Sequence, residues 1–453
     1  MQPAEPEFEM PSRPTSLASL VLLALTLLAP LGAAGVIVVD AEGGGDFVDL
    51  QAAIDAASDG DLLLLKGSST LSYGPFVIDG KSLALHGDDN GSVARVPSGV
   101  IRNLSAEQSV ALRQVFLFQL SLDDDTLPTL LITDCAGQVS VENCAVFGRT
   151  ENGLEVEDNL PEPGVRISNS PRVAFTRVTV RGGQGGVGRN TTMQTGAAGI
   201  EMLSGTLSLA SCTVDGGVGT SPVGGPSTPD DFSPAGDGGP GLLVQEGTVW
   251  LLGGTLRGGR GGSGFSYPGF CQPGGDGDVG LRMNAASALL WSRDAAITGG
   301  AGGAGGGNQL GIACAPDGQP SAAQDILAGT VAPLSAPMRT YVAPSPLREG
   351  VAGTHTFTGE PGDLILLFLS LSPGFTPLVG REGVFHAGFP TLKHTGFLFG
   401  TIPANGTREF NLTMPELGPG IDGLLVYLQS ALGPLGSLSL SGWSLQLGLD
   451  SSF

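Results

Sequence analysis

Three carboxylates stand at a spacing that could do chemistry. When Gly241 and Gly280 are superposed as equivalent points of successive repeats, Asp237 falls over Asp276, with Asp278 beside them. Neighbouring parallel strands lie about 4.8 Å apart, so the three could share a calcium ion. Ordinary polar turn residues are the preferred reading. Asp123, Asp124 and Asp125 are consecutive, and in an extended segment their side chains diverge, which suits a solvated loop. Arg166, Arg172, Arg177 and Arg181 cluster in one repeat, where Arg177 and Arg181 alternate with apolar positions and should face water. The four His are scattered singly, without metal-ligand spacing.

Five Cys allow at most two bridges and leave one over. Cys271 lies 13 residues after Gly258 and Cys314 lies 15 after Gly299, nearly matching points of consecutive loops, so a Cys271–Cys314 disulfide is expected. Cys144 and Cys212 fall in one inward column two coils apart, about 9.6 Å on the same spacing. That is too far to bond, so they should be buried thiols. Cys135 has no evident partner.

The elements that must position these residues repeat along the chain. Core-type residues recur at offsets 0, 2, 5 and 7, as in Val110, Leu112, Val115, Leu117 and again Val139, Val141, Cys144, Val146. Further copies begin at Val173, Leu207 and Val249, and a last one begins at Ala288 with two residues inserted. Residues two apart share a face of a strand, and the jump of three reverses parity, which marks a bend. Each coil therefore gives several short strands around a common interior, with Val110, Val139, Val173, Leu207 and Val249 in one inward column. Gly-Gly pairs at Gly182, Gly216, Gly258 and Gly299 open loops dense in Gly, Pro, Ser and Asp. Glycine supplies positive φ there, and such loops should project from one side.

The opening run from Gly43 to Ala57, with Asp59-Gly60-Asp61-Leu62, resembles the start of pectate-lyase-like β-helix proteins, especially pectin methylesterases. The resemblance implies a right-handed parallel β-helix over residues 35–328 with a short helix capping its first coil. Leu50, Ala53, Ile54 and Ala57 have the helical spacing such a cap needs. Gln108-Ser109-Val110-Ala111-Leu112-Arg113 is similar to a segment of the esterases, and Asp125-Thr126-Leu127 echoes another at a shortened distance. The remaining esterase motifs are missing, which leaves that mechanism without its second carboxylate and its Arg.

A stretch rich in Pro, Ala and Ser at 329–348 reads as a linker, and residues 349–453 as a small antiparallel β-sandwich. Within it, Pro415 to Leu424 with Tyr427-Leu428-Gln429 resembles a C-terminal module of secreted bacterial proteins, which implies no activity. Trp443, Tyr427, Phe397 and Phe399 could stack on sugar rings or simply fill the core. Leu17 to Leu31 form an apolar run ending in Gly32, Ala33, Ala34 and Gly35, so residues 1–34 read as a secretory signal peptide. Pro30 breaks the run too early for a bilayer span. Removing that segment takes away three Glu and one Arg, moving the net charge from −22 to −20. Such acidity disfavours nucleic acid and anionic lipid as partners.

These readings together point to a secreted, extracellular or cell-surface protein without catalysis, using its Gly-rich loops as a binding or spacer face. Polysaccharide or cell-surface components are the expected partners, and calcium is the only cofactor suggested. A carbohydrate-active enzyme on the same fold is the alternative.

Overall fold

The computed structural model describes residues 35–88, 91–119, 127–149, 161–185, 194–221, 235–267, 270–307, 314–388 and 397–453. The expected signal peptide and Asp123, Asp124 and Asp125 lie outside them. Each coil crosses three parallel sheets in turn, as in Leu130–Thr133, Gln138–Glu142 and Ala145–Phe147. Stacking the coils gives sheets of eight, ten and seven strands, a parallel β-helix. Val110, Val139, Val173, Leu207 and Val249 are direct ladder partners in the ten-strand sheet, and all five are fully buried. The two-residue insertion expected in the last repeat is not there. Leu290, not Ala288, pairs with Val249, and half-buried Ser292 pairs with Leu251. The offset pattern is intact, with a hydroxyl in the inward place near the open end of the solenoid.

Parity reverses where expected, and one left-handed residue does it. Gln114, Asn143, Arg177, Ser211 and Asp294 each follow a strand of the ten-strand sheet with φ between 47° and 55°. A single αL residue turns the chain sharply without a loop. At the entrance, the helix Leu50–Ala56 buries Leu50, Ala53 and Ile54 against the first coil. Asp49 caps its N-terminus through Ala52 N–H, and Lys81 Nζ donates to the carbonyls of Ile54 and Ala57 at the other end.

The Gly-rich segments do not behave as expected. None of the glycines described in 182–185, 196–199, 216–219, 236–241, 258–264, 274–280 and 299–306 has a positive φ. They form extended limbs, one leaving and one returning in each coil, packed side by side into a second layer. Gly258, Gly261 and Gly264 donate in turn to the carbonyls of Thr298, Ala301 and Ala304. A bonding period of three is that of an extended threefold helix without internal hydrogen bonds. Each limb also bonds sideways, as Gly217 N–H does to Ala197 O and Gly259 N–H to Gly239 O. Glycine is required because the backbones nearly touch: a Cβ on Gly217, Gly259 or Gly300 would lie 1.8–1.9 Å from the carbonyl oxygen one coil earlier. The layer ends where Pro320 takes the place of Gly277 and removes a donor, while Asp317 Oδ1 occupies Gly305 N–H.

The stretch 329–348 is structured. Thr330–Pro333 is the last strand of the ten-strand sheet, and Thr340–Val342 pairs with Ala352–Thr358. Pro333 lies in an edge strand, where a missing N–H is tolerated, and Pro337, Pro344 and Pro346 fall between strands. The following residues form an antiparallel β-sandwich whose core gathers Tyr341, Phe357, Ile365, Ile402, Leu428 and Leu432. The strand Ser439–Leu449 is buried along its whole length. From it Trp443, Leu445, Leu447 and Leu449 pack, with Tyr427, on the outer face of the ten-strand sheet, against Leu62, Leu64, Ala84, Ala111 and Ala174. The sandwich thus covers that face.

Candidate functional site

The three carboxylates singled out for calcium do not form a ligand set. Asp237 Oδ1 accepts the N–H of Asp276 at 2.7 Å, and Asp276 Oδ1 accepts that of Gln319 at 2.7 Å. Both aspartates stand on the outer side of the returning limb, and each carboxylate caps a donor one coil on. Asp278 instead bonds Arg282 at 2.6 Å and Val279 N–H, and burial pushes its carboxyl above the usual range. Among the described residues no group of three or more His, Cys, Asp or Glu is placed to hold a metal ion. Replacing Asp237 by Ala should lower stability by about 1 kcal/mol, the worth of one such bond. Thermal unfolding with added calcium or chelator should be the same for both proteins.

Acid and base do converge at a buried point beneath the sandwich, and the sequence reading passed over it. Glu142 faces outward from the ten-strand sheet, with no side-chain exposure. Its Oε1 accepts from Arg177 and from Ser444 Oγ at 2.6 Å, and its Oε2 accepts from Arg113 and from Leu445 N–H at 2.7 Å. Four donors saturate a carboxylate. Arg177 therefore does not face water as expected: αL geometry swings it back beneath the sandwich, where it also donates to Tyr341 O at 3.2 Å. Arg113, in the segment similar to the esterases, donates as well to Leu445 O at 2.6 Å. Register alone was the available signal, since Glu142 sits directly beside Arg113 in the ladder.

No protein-family model matches the chain, and no curated protein does. Among the described residues no helix is long and apolar enough to cross a membrane. Cys271 and Cys314 form the expected disulfide, with Cα atoms 5.9 Å apart. Cys135, Cys144 and Cys212 are free and buried. Burial pushes the Cys144 thiol up to about 12 and that of Cys212 to about 11, so neither is a nucleophile.

Of the two readings of the sandwich aromatics, core filling is the one the packing matches. Trp443 and Tyr427 are buried in the seam and Phe399 packs against the sandwich core, while the Phe397 side chain lies outside the described part. A half-buried strip lies instead on the outer face of the seven-strand sheet. Phe116 stacks on Phe118 at 5.3 Å, Phe147 meets Phe116 edge-on, and the Arg181 guanidinium lies 5.2 Å from the Phe147 ring centre. Such rings could contact the apolar face of a sugar.

Proposed function

We propose that this chain is an exported, non-enzymatic protein of the extracellular space or cell surface, with a structural or binding role, on a pectate-lyase-like scaffold. The observation that carries this reading is the saturated Glu142: both its oxygens and both neighbouring arginines are spent on holding the sandwich over the sheet. A general acid or base must reach a substrate proton, and this carboxylate reaches none. The other candidate carboxylates cap backbone or pair with Arg282. Export is supported by the apolar leader and by the Cys271–Cys314 bridge, which suits an oxidising compartment. The strip of Phe116, Phe118 and Phe147 supports glycan as the bound partner.

Two assays test the reading. Purified protein incubated with pectin and a panel of neutral and acidic polysaccharides should release neither reducing ends, unsaturated products nor methanol. Binding to immobilised neutral glycans should fall at least about tenfold when Phe118 and Phe147 are both replaced by Ala, given about 1 kcal/mol for each ring. Turnover abolished by Asp237→Ala or Asp276→Ala would establish a carbohydrate-active enzyme instead.

A further inference from the structure

We propose that the C-terminal sandwich is an acid-releasable cover: lowering the pH undocks it from the ten-strand sheet while the solenoid stays folded. Its basis is the placement of the histidines. His86, His355 and His386 are all buried, and all three lie in the seam or directly behind it. The fourth, His394, is outside the described residues.

His86 belongs to the solenoid, and its Nδ1 is 2.7 Å from Gly87 O. A carbonyl only accepts, so Nδ1 carries the proton and Nε2 is an acceptor. That Nε2 lies 2.8 Å from Ser345 Oγ of the sandwich side, and the same hydroxyl already accepts Leu447 N–H at 2.9 Å. The hydroxyl proton must therefore point at His86, closing a chain that joins the two units. Protonating Nε2 makes it a donor, so the Ser345 hydroxyl must turn to accept from it and its own proton loses the His86 acceptor. It also places a cation beside Arg113, its neighbour in the ladder. Asp88 is the nearest opposing charge, and it is already shared between Lys66 at 2.6 Å and Arg348 at 3.3 Å.

On the sandwich side, the His386 ring lies between Phe375 and Trp443, at 5.5 and 5.8 Å between centres. Its polar surroundings are the Gly374 carbonyl and the Gln429 side chain, which accepts its backbone N–H. His355 bonds Tyr341 Oη at 2.8 Å, and the Tyr341 carbonyl accepts from Arg177, the partner of Glu142. Neither ring has a carboxylate against it to stabilise a cation. Burial, with Arg113 as the second cause for His86, lowers His86 and His386 to about 3 and His355 to about 4.

Ordinary histidine titrates near 6.5. The unfolded or undocked state thus takes up protons that the docked state refuses, so docking is at full strength above pH 6.5. It weakens as the pH falls from there towards 3 to 4. The interior core of the solenoid is apolar and, among the described residues, contains no histidine, so the same titration leaves it untouched.

All three tryptophans report on the seam: Trp443 is buried in it, and Trp250 and Trp291 stack at 5.5 Å on the sheet face. A titration from pH 8 to pH 3 should give a reversible red shift of tryptophan emission and a larger radius of gyration, with a midpoint between 6.5 and 3. Far-UV circular dichroism should be retained through that transition. His86→Gln keeps a neutral partner for Ser345 and should move the midpoint down by about half a pH unit or more. Simultaneous loss of emission and dichroism, no transition above pH 3, or an unmoved midpoint in the His86→Gln protein would each overturn the proposal.

Discussion

Replacing Gly259 by Ala should destabilise the protein by more than about 4 kcal/mol, a range reached by few single substitutions. The added methyl would sit 1.8 Å from Gly217 O and 2.8 Å from Gly239 N, both backbone atoms of neighbouring limbs. No side chain can rotate away to relieve the clash, and the limbs are bonded on several sides, so the whole layer must shift. The neighbouring Arg260→Ala is the control. Arg260 is exposed on the same limb, and its replacement should change stability by no more than about 0.5 kcal/mol. Urea denaturation of the two variants separates the explanations. If Gly259→Ala were as mild as Arg260→Ala, these segments would be loose loops in which glycine serves only turn geometry.

Glu142→Gln should destabilise the docked state by roughly 3–5 kcal/mol, the usual consequence of removing one partner from a buried ion cluster. Arg113 and Arg177 would remain buried with no opposing charge between them. One oxygen would also become an amide donor facing Arg113 or Arg177, and with it Leu445 N–H or Ser444 Oγ. Because the cluster spans the seam, the expected first consequence is a sandwich that leaves the sheet at lower denaturant than the solenoid unfolds. Tryptophan emission and far-UV dichroism would then give separate midpoints. A single unchanged transition would mean that apolar contacts such as Trp443 and Leu445 hold the seam without the ion cluster.

The solenoid was legible because its information is local. A period of two with one jump of three is written into eight consecutive residues, and the same face must be buried in every coil. The disulfide was legible for the same reason, since Cys271 and Cys314 occupy like points of stacked coils. Glycine was misread because one residue type answers two physical needs, positive φ and close backbone approach, and composition does not say which applies. The three-residue spacing of Gly258, Gly261 and Gly264 does say so. It distinguishes a packed limb from a turn. The carboxylates at the same place behave as the polar-residue reading has them. Asp237 and Asp276 lie one above the other as expected, but a limb with outward N–H groups takes their oxygens first.

The seam was illegible for a different reason. Glu142 meets Ser444 across 302 positions of sequence, and neither residue carries a local pattern that announces the other. A lone Glu on an outward strand position is normally solvated. Pro333 within 329–348 carried little signal, because an edge strand and a linker tolerate proline for the same lack of an N–H partner.

Hydrogen–deuterium exchange of the backbone amides in 216–221, 235–241, 258–264 and 274–280 tests most directly whether the glycine limbs are a packed scaffold layer. Their glycine N–H groups are all bonded to neighbouring limbs, so these glycine amides should exchange as slowly as the parallel strands Leu207–Ala210 and Val249–Leu252, with protection lost only on global unfolding. Exchange within seconds, at the rate of an open loop, would contradict the packed layer and return these segments to the role of a free surface.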